Sequence, residues 1–204
     1  MHEEILNQDQ TSLLSLVNDF SKQGFGLVGG TAIALQIGHR RSIDFDLFSL
    51  TDFENSDLKR IIQERNLNIE VVYIDELNQY TVSIGGVRFT FLYYPFPIKF
   101  TENFKNLVQT PDLLTLAAMK AYALGRRAKW KDYVDLFFII KNHCQLTDIE
   151  EKSKEIFKRE FNQRIFKEQL AYFDDINYSE IVDFLPGFEV SNEEIKSFLL
   201  QKSL

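Results

Sequence analysis

Residues 25–48 read Phe25-Gly26-Leu27-Val28-Gly29-Gly30-Thr31-Ala32-Ile33-Ala34-Leu35-Gln36-Ile37-Gly38-His39-Arg40-Arg41-Ser42-Ile43-Asp44-Phe45-Asp46-Leu47-Phe48. The apolar run at 25–28 has the length of a buried strand and is closed by Gly29-Gly30. Good helix formers follow in 31–37, and Gly38 stops them. Residues 42–47 read as a second strand. The stretch therefore predicts a strand, a glycine turn, a helix and a strand. Glycines let a backbone approach a ligand closely. The helix after them offers unpaired N–H groups and the positive end of its dipole, a seat for phosphate to which the Thr31 hydroxyl could add a donor. On a strand, Asp44 and Asp46 face one side and Phe45 the other. Two carboxylates side by side repel, and a divalent cation relieves this by taking oxygen ligands from both. An acidic pair at a strand end and a Thr-capped tight turn are each common alone. Here they arrive together within one strand–helix–strand unit.

Upstream, Asp9-Gln10-Thr11-Ser12 supplies N-cap residues, and Leu13, Leu16, Val17 and Phe20 recur at helical spacing. A helix over 11–22, ended by Gly24, is expected. Downstream, a helix over 56–66 and a strand over 68–74 precede two runs, 80–84 and 87–94. Gly85-Gly86 between them is a hairpin signal. Pro95 and Pro97 end the sheet region. Thr110-Pro111 then reads as an N-cap with proline at the first helical position. It opens a helix over 111–124, followed by one over 131–142 and more up to 201. The expected class is α+β: a mixed sheet flanked by helices over 1–108, then a helical region over 109–204.

Composition narrows the function. A formal net charge of -7 over 204 residues argues against a broad nucleic-acid surface. The single cysteine, Cys144, excludes an intramolecular disulfide and a multi-cysteine zinc site, and fits a reducing cytosol. The N-terminus lacks a basic segment followed by an apolar one, so no signal peptide is read. The longest apolar run, near 134–140, is far short of the roughly 18 residues that span a bilayer. A cytoplasmic protein without membrane contact is expected. His2, His39 and His143 are scattered, and His39, though near the acidic pair, reads as a loop residue. Trp130 falls in an inter-helix linker. Phe157, Phe161, Phe166, Phe173 and Phe184 read as helix-packing residues or as part of an interface.

Gly29-Gly30-Thr31-Ala32 followed by Arg41-Ser42-Ile43-Asp44-Phe45-Asp46-Leu47-Phe48 resembles the abortive-infection nucleotidyltransferase toxins (AbiEii/AbiGii-like), a branch of the polymerase-beta-like nucleotidyltransferases. Lys120-Ala121-Tyr122-Ala123-Leu124-Gly125-Arg126-Arg127 and Lys131-Asp132-Tyr133-Val134-Asp135-Leu136 are similar to that family's downstream Lys and Asp motifs. The resemblance spans about 24–140. It implies transfer of a nucleotide from a nucleoside triphosphate, dependent on Mg²⁺ or Mn²⁺, to an RNA, protein or small-molecule acceptor, and the toxin role in a toxin–antitoxin pair with an antitoxin partner. Asp44 and Asp46 would hold metal and triphosphate. Gly29, Gly30 and Thr31, with Arg41 and Ser42, would bind the nucleotide. Lys120 would neutralise phosphate charge, and Asp135 or Asp132 would be the distal carboxylate. Arg40, Arg41, Arg126, Lys129 and Lys131 could add a basic rim. Lys120 and Arg127 fall on one helical side, which supports Lys120 in that role; the competing accounts are a solvated helix face with ordinary ion pairs such as Lys131–Asp135 and, for Asp132 and Asp135, a structural salt bridge.

One position departs from the family's pattern. A third carboxylate, which activates the attacking hydroxyl in many relatives, would fall where Thr90 stands. Glu70 or Asp135 is the substitute available. The departure leaves room for a one-metal mechanism or for a non-catalytic nucleotide- or partner-binding module. An aminoglycoside-type small-molecule transferase is a third reading, to which an acidic protein suits a cationic acceptor.

Overall fold

The computed structural model describes every residue except Gly125 and Ala128, so that part of the Lys120 motif lies outside the described residues. The chain divides into two compact units, Met1–Asp112 and Leu113–Leu204.

The first unit is built on a five-stranded mixed sheet. Its elements run α1 (Gln8–Ser12), α2 (Leu14–Lys22), β1 (Phe25–Val28), α3 (Gly29–Ile37), β2 (Phe45–Ser49), α4 (Asn55–Glu64), β3 (Ile69–Glu76), β4 (Gln79–Ile84), β5 (Val87–Tyr93), β6 (Glu102–Phe104) and β7 (Val108–Thr110). The sheet order is β1-β2-β5-β4-β3. β2 runs parallel to β5; the other pairs are antiparallel. Phe25, Leu27, Phe45, Leu47, Tyr80, Val82, Phe89 and Phe91 alternate onto one buried face. Helix α2 is strongly amphipathic, and its Phe20 packs edge-on against Phe89 and Phe91, with centroids 6.3 and 4.7 Å apart. Burying Leu16, Val17 and Phe20 stabilises the unit by about 1.5–3 kcal/mol per side chain. The turn from β4 to β5 places Gly85 and Gly86 at φ +56° and +74°, the two positive values that a tight hairpin turn needs.

Three local expectations change. The predicted helix over 11–22 is two helices meeting at Leu13, because Asn7 and Gln10 form a capping box that starts the chain coiling earlier. Pro95 and Pro97 follow the end of the five-stranded sheet at Tyr93, as read, but strand structure resumes beyond them, where β6 and β7 form a separate two-stranded ribbon. Thr110 therefore closes a strand instead of capping a helix, and the next helix starts at Leu113.

The second unit is helical: α5 (Leu113–Leu124), α6 (Trp130–Asn142), α7 (Leu146–Phe157), α8 (Gln163–Leu170) and α9 (Asn192–Ser203). Helix α6 is buried on nearly every side. Its Phe137 meets Phe198, and Phe138 meets Phe184 and Phe188. Phe157 and Phe166 are fully buried and Phe161 packs on Phe166, so the phenylalanine-rich tail serves the core. Trp130 is the first residue of α6, buried and stacked on Tyr133, not a linker residue. Among the described residues no helix is long and apolar enough to cross a membrane.

Candidate functional site

In the first unit the glycine turn and the carboxylates meet. Gly29 begins α3 with φ +72°, a value that β-carbons disfavour. Neither Gly29 nor Gly30 has room for a Cβ: on Gly29 it would run into the Asp46 carboxylate, and on Gly30 into the Arg40 guanidinium. The two glycines thus let two charged side chains come onto the turn. Strand register sets the rest. Asp46 lies opposite Val28, the residue before the turn, and beside Thr90 on its other flank. Residues 44, 46 and 48 are half-exposed while 45, 47 and 49 are buried, so Asp44 and Asp46 share the open face. The strand itself starts at Phe45, and Asp44 belongs to the extended segment before it.

That segment is held by buried polar groups. The Thr31 hydroxyl, 1% exposed, donates to the Asp44 carbonyl at 2.5 Å and pairs with Ser42 Oγ at 2.9 Å. A hydroxyl has one proton, so Thr31 positions Asp44 and does not offer that proton to a phosphate. Gln10 Nε2 donates to the Ser42 carbonyl at 2.8 Å. Arg40 Nη1 donates to the Arg41 carbonyl at 2.9 Å. Of the two adjacent arginines, Arg40 is buried (2% exposed) beside Gly30, and Arg41 is exposed and donates to the Glu4 carbonyl at 3.0 Å. His39 lies in the loop after α3, as read, and is fully buried there. Gln10 escapes the sequence reading as a site-building residue, and Arg40 enters it only as part of a basic rim. A polar residue in a helix and one member of an Arg-Arg pair carry no local mark of facing inward.

The substitute carboxylate Glu70 is badly placed. It lies on β3, and β4 and β5 separate it from β2, a distance of roughly 14 Å at about 4.8 Å per strand. Its Oε2 accepts from Ser83 Oγ (2.9 Å) and from the Gly86 N–H (3.1 Å), bonds that hold it below the ordinary carboxylate pKa, the backbone bond first. Glu70 fastens the hairpin. Thr90 pairs in register with Asp46 across β2 and β5.

In the second unit, Lys120 of α5 is buried and joined to both candidate carboxylates of α6. Its ammonium donates to Asp132 and lies 3.0 Å from Asp135 Oδ2. Arg127 adds Nε to Asp132 Oδ2 at 2.9 Å. The side chains of Lys120, Asp132 and Asp135 are 7%, 3% and 0% exposed. Burial works against ionising Asp132, yet the charges of Lys120 and Arg127 outweigh it and hold its pKa below the ordinary 3.8. The solvated-face alternative fails on this burial. Arg127 follows the end of α5, so a shared helical side with Lys120 does not explain their meeting; Asp132 does. Lys131 pairs with Glu180 at 3.2 Å, as does Lys129 at 2.8 Å.

Among the described residues no three His, Cys, Asp or Glu side chains cluster as metal ligands. Asp44 and Asp46 nevertheless fit Mg²⁺, which commonly binds one or two carboxylates and completes its shell with water and substrate phosphate.

A family model for the nucleotidyl transferase AbiEii toxin, type IV toxin–antitoxin system, matches residues 12–199. The uncharacterized protein aq_aa25 of Aquifex aeolicus (strain VF5) is 28% identical over 199 residues, covering 93% of this chain and 88% of that one. Two solved structures share the fold. A candidate nucleotidyltransferase from H. pylori has a TM-score of 0.61 at 16% identity, over 100% of this chain and 94% of that one. MenT4, nucleotidyltransferase toxin Rv2826c from Mycobacterium tuberculosis H37Rv, has 0.62 at 12% identity, over 96% and 81%. The sheet and flanking helices are thus of the nucleotidyltransferase kind. The chain belongs to the AbiEii nucleotidyltransferase toxin family.

Proposed function

From that membership we propose that the chain moves a nucleotidyl group from a nucleoside triphosphate to an acceptor hydroxyl, as the toxin of a toxin–antitoxin pair. The observation that carries this reading is the Asp46 carboxylate standing against Gly29 at the N-terminus of α3. A carboxylate for metal and an N–H cradle for phosphate then share the strand end where β1 leads into α3. Asp44 and Asp46 would hold Mg²⁺ or Mn²⁺, which when bound supplies charge neutralisation at the reacting phosphate. The first-turn amides of α3 orient the terminal phosphates. Thr31, Ser42, Gln10 and Arg40 keep the Asp44 segment in place. In the reaction the acceptor oxygen bonds to the α-phosphorus and gives up its proton to solvent water, the bond to the bridging oxygen breaks, and pyrophosphate leaves. Thr90 is too weak a base to take the acceptor's proton. Lys120, already neutralised by Asp132 and Asp135, is assigned first to holding α5 on α6. A phosphate role for it requires the ligand to compete with those carboxylates.

The test is incubation with each labelled nucleoside triphosphate, with Mg²⁺ or a chelator, and an extract of RNA and protein. Label on a macromolecule or small molecule, lost with chelator and in Asp46→Asn, is expected and names donor and acceptor. The position of Thr90 beside Asp46 favours one alternative, a binding module without chemistry. Triphosphate binding without label on any acceptor would establish it.

A further inference from the structure

We propose that a cavity in the helical unit, between α5 and the start of α8, binds the base of a nucleotide, by stacking on Arg126. The cavity measures about 350 Å³, enough for a nucleoside. Ala121 and Phe166 line it with apolar surface; Arg126, Glu160 and Asn162 line it with polar groups. Its wall is a stacked column. The Phe157 and Tyr122 rings lie 4.0 Å apart and 14° from parallel, and the Arg126 guanidinium lies 3.5 Å above the Tyr122 ring. Arg126 is fixed in that plane: Nη1 donates to the Tyr122 carbonyl at 3.2 Å, and Nη2 lies 3.7 Å from Glu160 Oε2. Glu160 is itself fixed by the Tyr122 hydroxyl at 2.7 Å. The Arg126 side chain remains 48% exposed, so the column ends in a flat cation open to a further planar group.

Charge selects the part of the nucleotide. Arg126 and Glu160 cancel, and an added phosphate would meet the Glu160 carboxylate. A base instead stacks on the guanidinium and turns its N–H edge to that carboxylate. The nucleotide-transfer reading motivates a nucleobase as the planar ligand, and the base could belong to the donor triphosphate or to an RNA acceptor.

Ligand-observed saturation-transfer NMR on the full chain tests this, using nucleosides, nucleoside triphosphates and a short single-stranded RNA as separate probes. Base protons should receive saturation. Affinity should fall about tenfold in Arg126→Ala, the scale of one lost base stack. Arg126→Lys, which keeps the charge and loses the plane, should fall nearly as far. The probe whose affinity depends on Arg126 identifies the source. No base signal with any probe, or affinity unchanged in Arg126→Ala with unaltered circular dichroism, overturns the proposal. Arg126-dependent nucleoside binding in Asp44→Asn/Asp46→Asn protein keeps it even if transfer activity is never found. Transfer activity without Arg126-dependent binding removes it while leaving the transferase reading intact.

Discussion

The two acidic clusters of this protein differ in what surrounds them. Asp44 and Asp46 stand half-exposed where β2 begins, Asp46 against a glycine turn. Asp132 and Asp135 are buried in a helix pair and spend their charge on Lys120 and Arg127. The first lies on a partly open face, whereas the second is enclosed and neutralised by Lys120 and Arg127. Buried ion pairs return little net stability, but removing one partner strands the other in a medium that penalises charge. Substitutions should therefore cost activity in the first cluster and stability in the second.

The largest effect is expected at Asp46. Asp46→Asn should lower nucleotide transfer about 10³-fold, the scale of a lost electrostatic group at a reacting centre. Its urea-unfolding free energy should fall by less than the loss expected at the buried cluster, because Asp46 is only half-buried. Loss of stability on the scale of the buried cluster would erase the contrast. Next, Lys120→Ala should destabilise by about 3–5 kcal/mol in urea unfolding, because Asp135 and Asp132 lose a buried partner. Pairing it with Asp132→Asn and Asp135→Asn should recover part of the loss. A Lys120→Ala protein as stable as wild type and impaired only in transfer would assign Lys120 to the substrate.

Gly29→Ala sits between the two regimes. The backbone at φ +72° costs a β-carbon about 1–2 kcal/mol, and the methyl group displaces Asp46. Thermal unfolding should record the first effect, and transfer rate should fall by a larger factor than that destabilisation alone explains. The smallest effect concerns Glu180. Its bonds to Lys129, burial opposing, and to Lys131 depress its pKa from 4.5 to about 2. A depressed carboxylate stabilises the fold above its unfolded pKa and loses that contribution as pH falls toward the folded value. The wild-type advantage over Glu180→Gln should thus be flat above about pH 5 and vanish near pH 2. At 45% exposure its size should be under about 1 kcal/mol.

Much of the first unit was legible because its signals are local. Gly85-Gly86 names its hairpin, and 25–48 names a strand, a turn, a helix and a strand from residue type alone. The capping box of Asn7 and Gln10 is local but was outcompeted by the cap residues of 9–12, while the bond from Gln10 to Ser42 spans 32 residues and leaves no local mark. The β6–β7 ribbon was missed because three-residue strands show no periodicity. Boundaries shifted for the same reason at Thr110, where strand pairing overrode a cap signal.

The sequence by itself determined the class of fold, the glycine turn, the open-face pairing of Asp44 with Asp46 and the kinship with nucleotidyltransferase toxins. Those follow from backbone sterics and a side-chain period of two, which act between near neighbours. Only the tertiary structure decided that Arg40 and not Arg41 turns inward, that Thr31 serves Asp44, that Glu70 serves a hairpin, and that Lys120 faces Asp132 and Asp135. Each is a choice of partner for a polar group, and burial makes that choice from groups far away in the chain.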